Sequence, residues 1–156
     1  VRAGPDIGRP NSSEHNVTHV AIHQGVVPDL LTNIELPAGG TIAISYQNSS
    51  YADPTTHVVE DNYSGINVFV VSSLTRTEID NTSTTEQFHY QHGSLYAESD
   101  DIRDRRFAGF GKVTKTTDLG TEVTYYHQGN GDNLPEEVGD SEAKIGREYM
   151  REVYSR

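Results

Sequence analysis

The chain contains no cysteine, no tryptophan and a single methionine, and its 12 basic residues face 23 acidic ones. Without cysteine, disulfide frameworks and thiolate metal sites are excluded. A formal net charge of -11 leaves no basic stripe of the kind nucleic-acid phosphates require. The same charge opposes docking on anionic lipid, and its plainest consequence is solubility. No apolar run approaches the roughly 20 residues of a membrane-spanning helix, so no membrane insertion is expected. Only 33% of the residues are apolar and mean hydropathy is -0.63, a lean core suited to strands that show one face to water. Catalytic signatures are missing too. There is no Gly-x-Ser-x-Gly elbow, no His-Glu-x-x-His and no phosphate-binding glycine loop. The expectation is therefore a non-enzyme with no catalytic residues, no cofactor and no metal ligands.

What is present is strand material: nine tyrosines, four phenylalanines and many Val, Ile and Thr residues gathered in short runs. Val1 to Glu14 is rich in Gly, Pro, Asn and Ser and reads as an irregular lead-in. HNVTHVAIH (His15–His23) follows as one short strand, which closes a first segment at residue 27. Residues 28–156 read as successive hairpins. Leu30–Leu36 and Thr41–Gln47 flank Pro37-Ala38-Gly39-Gly40, a hairpin turn signal. His57–Val59 is a candidate short strand. Ile66–Thr77 is the most hydrophobic stretch and the candidate for a strand buried on both faces. A turn at Asp80-Asn81 pairs it with STTEQFHYQHG. Leu95–Arg105 reads as charged and exposed. RFAGFGKVTKTT (Arg106–Thr117), Asp118-Leu119-Gly120 and TEVTYYHQ (Thr121–Gln128) form the clearest hairpin. Arg147–Ser155 reads as a final strand or, over Ser141–Met150, as a short helix. The pattern predicts an all-β fold of antiparallel hairpins in a meander or sandwich-like sheet. Phe69, Phe88, Tyr90, Phe107, Phe110, Tyr125 and Tyr126 are its expected core.

Several constellations invite a site. His15, His19 and His23 would share a helix face and could hold zinc. On a strand they lie about 13 Å apart at ~3.3 Å per residue, too far for one ion. Gly129–Asp140 carries Asn130, Asp132, Asn133, Glu136, Glu137 and Asp140 but lacks the calcium-loop register, so it reads as a solvated acidic loop. Gly109-Phe110-Gly111 inside a long strand predicts a bulge or bend; without one, Phe107 and Phe110 fall on opposite faces. Arg103, Arg105 and Arg106 beside Asp100, Asp101 and Asp104 read as surface ion pairs. Asn-x-Ser/Thr sequons stand at Asn11, Asn16, Asn48, Asn62 and Asn81, a tripeptide signal of low specificity.

Three phrases carry a family resemblance: PDLLTNIELPAGGTIAISY (Pro28–Tyr46), VFVVSSLTRTEIDNTSTTEQFHYQHGSLY (Val68–Tyr96) and RDRRFAGFGKVTKTTDLGTEVTYYHQGNGDN (Arg103–Asn133). In order and spacing they resemble the β-rich region of Rhs-type toxin-complex B components and the related Salmonella-plasmid-type virulence proteins. The Arg106–Gly111 phrase is the most specific. The resemblance implies a strand over Arg147–Ser155, membership of a β-shell, and a place between an amino-terminal β-propeller and the tyrosine-aspartate repeats that wind into that shell around a toxic cargo. No complete tyrosine-aspartate repeat and no aspartyl self-cleavage motif occur here. Both ends read as cut from something longer.

The expected function is thus a non-catalytic structural segment of a secreted bacterial toxin-complex protein. Its implied partners are neighbouring β segments of the same large protein and other toxin-complex components, with self-association through edge strands as a further possibility. The rival readings are an extracellular β-sandwich module binding carbohydrate, protein or calcium, and a subunit of an extracellular fibre.

Overall fold

The computed structural model describes residues 29–49, 58–62, 64–97, 103, 105–131 and 134–156. The chain divides into two compact units, Val1–Leu30 and Leu31–Arg156, and every described strand lies in the second. The lead-in, the His15–His23 strand, and Asp100, Asp101, Asp104, Asp132 and Asn133 fall outside the described residues.

Seven strands run in chain order: β1 (Asn33–Glu35), β2 (Thr41–Asn48), β3 (Phe69–Thr77), β4 (Ser83–Tyr96), β5 (Arg106–Thr117), β6 (Gly120–Tyr126) and β7 (Glu148–Ser155). They form one sheet in which each strand pairs antiparallel with its sequence neighbour. The expected meander and all three hairpins are therefore present. The strand reading of the carboxy-terminal run holds as well. The helix-favouring residues before it form only a 3-10 turn at Glu142–Lys144.

The meander gives the sheet two unlike ends. One carries the tight turns around residues 37–40, 79–81 and 118–119; the other carries the long connections after β2, β4 and β6. Past the Ser73–Gln87 pair, β3 and β4 part company. The segment 58–62 takes the vacated edge of β4, bridging it in parallel at Val59–Tyr90 and Asn62–Gly93. Tyr90 N–H donates to the Val58 carbonyl and Glu60 N–H to the Tyr90 carbonyl, both at 2.8 Å. Wedging a connection into the split satisfies backbone groups that would otherwise be left open.

An apolar cluster of buried residues sits at this wedge. Val58, Val59 and Val70 are buried, with Val68, Tyr90 and Phe110 packed against them. The expected aromatic core is corrected by this arrangement. Phe69 is exposed, and Phe88, Tyr90, Phe107, Phe110, Tyr125 and Tyr126 are only half-buried. Among the described residues no second sheet or helix faces this one, so the large rings lie along its surface while short valines fill the wedge. For the same reason β3, expected to be buried on both faces, buries only Val70. Leu95–Arg105 also departs from expectation at its start, where Leu95 and buried Tyr96 extend β4.

Asn62 locks the wedge in place. Its side-chain amide donates to the Ser49 carbonyl, Ser49 Oγ and the Ile66 carbonyl at 3.2–3.3 Å. Its carbonyl oxygen accepts from Ser64 N–H at 3.2 Å and Ser64 Oγ at 2.6 Å. A side chain so engaged is not presented for glycan attachment, whatever the sequon suggests.

Candidate functional site

The long connection between β6 and β7 folds back over the sheet, and its anchor is the His127-Gln128-Gly129 phrase. Gln128 is buried, and its amide donates to the carbonyls of His92 (2.6 Å) on β4 and Gly109 (3.0 Å) on β5. The space for it exists because residue 111 is glycine. A Cβ there would stand 2.6 Å from Leu134 Cδ1 and 2.8 Å from Gln128 Oε1. Gly109 adopts φ +89, the left-handed region that side chains avoid. There the register slips, with Ser94 opposite Gly109 and Leu95 opposite Phe107. This is the bulge expected from the glycine pattern. It brings Phe107 and Phe110 edge to face at 5.4 Å and sets Phe110 5.1 Å from Tyr90.

His127 begins the fold-back on the other side of this anchor. Its Nδ1 lies 3.1 Å from Glu137 Oε1 and 3.3 Å from Asp140 Oδ1. The three side chains are 8%, 1% and 0% exposed. The second oxygen of each carboxylate is tied to the backbone: Leu134 N–H donates to Glu137 Oε2 at 3.1 Å and Asn130 N–H to Asp140 Oδ2 at 2.8 Å. Lys144 Nζ donates to the Gly139 carbonyl, closing the loop from outside. Backbone bonds His127 N–H to Arg147 O and Gly146 N–H to His127 O, at 3.0 and 2.9 Å, hold the histidine itself.

A slip in the β6–β7 register completes the enclosure. Tyr125 faces Met150 and Tyr126 faces Glu148, which leaves Tyr149 as the extra residue. Its ring packs 4.8 Å from that of His127 and 6.1 Å from that of Tyr125, and its hydroxyl donates to the Pro135 carbonyl at 3.2 Å. Burial first, then the Glu137 carboxylate, pushes the Tyr149 phenol up to about 12.

The loop expected to be solvated is therefore only partly so. Glu137 and Asp140 turn inward while Glu136 stays exposed. His127 was not among the residues the sequence singled out as a ligand, since it lies ten positions from Glu137 and ends a strand-like run. The histidine-glutamine-glycine phrase was visible, but its partners were set by the path of the loop. Arg106 pairs with Glu142 at 2.7 Å, its guanidinium 5.1 Å from the Tyr96 ring centre; the aspartates expected beside it lie outside the described residues. His15, His19 and His23 lie outside the described residues.

Compared with known proteins, residues 10–128 match the family model described as "Insecticide toxin TcdB middle/N-terminal region". The match spans most of the chain and ends one residue past His127. Comparison with curated proteins and with solved structures returned no match.

Proposed function

The chain belongs to the toxin-complex B-component family, through its middle/N-terminal region, and from that premise we propose that it is a non-catalytic wall segment of a toxin-enclosing β-shell. The observation that carries this reading is the incompleteness of the sheet. Among the described residues β1 and β7 each pair on one side only. β7 is eight residues long and largely exposed, and a long exposed edge is a template for further strand pairing. The turn end adds apolar surface, with Leu119 86%, Ile79 75% and Val153 74% exposed. A wall built from consecutive hairpins needs both features, because each segment is completed by the next.

Its partners in this reading are adjoining β segments of the same protein, then other toxin-complex components, and its place is outside the producing cell. Among the described residues no helix is long and apolar enough to cross a membrane. The residues 1–27 and 28–156 act as lead-in and wall respectively. The β7 edge also favours a second reading, self-assembly of copies through paired edges.

Size-exclusion chromatography with light scattering, read beside circular dichroism, separates these. Loss of β structure or aggregation of the isolated chain, cured by flanking segments, is the expected result. A discrete polymer of folded chains would favour self-assembly. A stable, soluble β monomer would overturn the wall reading.

A further inference from the structure

We infer that His127, Glu137 and Asp140 form a structural site for one divalent cation of the zinc class. The inference does not depend on the wall reading and would survive its failure.

Geometry comes first. Tetrahedral zinc with nitrogen and carboxylate ligands at ~2.0–2.1 Å has ligand–ligand edges of about 3.3 Å. Two edges of the cluster, 3.1 and 3.3 Å from Nδ1, already have that length, and all three donor atoms lie within 4.8 Å of one another. The 3.1 Å contact with Glu137 also serves as a hydrogen bond, but one hydrogen cannot point straight at two oxygens, and Asp140 Oδ1 stands at 3.3 Å.

Charge comes second. Two carboxylates at 1% and 0% exposure surround a ring at 8%. A divalent ion among two carboxylates and a neutral imidazole leaves ion and ligands with no net charge. Charges taken from water need that neutralisation.

The surroundings are third. Ligating carboxylates are commonly held by hydrogen bonds to their remaining oxygen, and the Leu134 and Asn130 amides supply both. An imidazole nitrogen among the donors suits zinc and its first-row neighbours. Calcium prefers six to eight oxygens, at about 2.3–2.6 Å. Glu137 and Asp140 come from the fold-back loop and His127 from the end of β6, so the ion would staple loop to sheet. It would act in structure rather than catalysis.

The test uses the chain with whatever flanking segments its folding requires, stripped by chelator and titrated with cobalt(II), then zinc. One equivalent should bind with visible ligand-field bands that zinc abolishes. Zinc at ~100 times its Kd should raise Tm by about 5–10 °C. Glu137→Gln and Asp140→Asn should each weaken zinc binding by about 100-fold or more, beyond the effect of an outer-shell change. Glu136→Gln should leave it unchanged. Failure of the folded, unaltered chain to take up cobalt or zinc overturns the inference and leaves a hydrogen-bonded staple. So does uptake that both ligand variants leave intact, which would put the ion elsewhere, for instance on other histidines. Should a variant fail to fold, the cobalt spectrum and stoichiometry of the unaltered chain decide the matter.

Discussion

The two ends of this sheet are built from similar strands but hold together by different means. At the long-connection end, chain that has left the sheet returns to cover it: 58–62 wedges beside β4, Gln128 caps the carbonyls of His92 and Gly109, and the 134–146 loop closes over His127. At the turn end, two- to five-residue turns leave nothing to fold back, and Ile79, Leu119 and Val153 stand in water. A single sheet cannot bury its own faces, so whichever end owns the longer connections acquires the core. The other end is left to something else.

Asn62→Ala tests the strong end and should have the largest effect. It removes an amide that donates to three acceptors and a carbonyl that takes two donors. Leaving such partly buried groups unmet costs about 1–3 kcal/mol each at the upper limit, and a total near 3 kcal/mol is expected in urea denaturation. An effect below ~0.5 kcal/mol would mean that the wedge does not stabilise the sheet.

A smaller effect, with a pH signature, is expected from Tyr90→Phe. The hydroxyl donates to the Val71 carbonyl at 3.0 Å, a bond worth about 1 kcal/mol. Burial, then the charge of Tyr126, pushes its phenol up to about 12. The fold thus favours the neutral phenol. That contribution is complete below the unfolded value of about 10 and is lost as pH rises through the folded one. Wild type should lose stability between roughly pH 10 and 12 more steeply than the variant, so the gap between them narrows. Parallel curves would show that Tyr90 ionises freely.

At the turn end, Ile79→Ser with Leu119→Ser should change stability by no more than ~0.5 kcal/mol. Light scattering should instead show weaker self-association, or weaker docking of flanking segments. A large loss of stability would mean that the turn end packs a core of its own.

Much of the fold was legible because it is local. Pro37–Gly40, Asp80-Asn81 and Asp118-Leu119-Gly120 each announce a turn between alternating runs, and each joins the two strands it should. Gly109 announced its bulge for the same reason, since the constraint lies in one residue's backbone. Burial was misjudged where ring size stood in for position: Phe69 was expected inside and lies outside, while Val58 and Val59 carry the cluster.

What the sequence alone determined, then, was strand, turn and family, because period, turn chemistry and phrase order are properties of neighbouring residues. Tertiary structure alone decided which connection covers the sheet, and so brought His127 to Glu137 and Asp140 across a ten-residue loop. Side chains that meet only when a loop folds back leave no period to read. Their association depends on the carbonyls and cavities that the finished sheet presents to them.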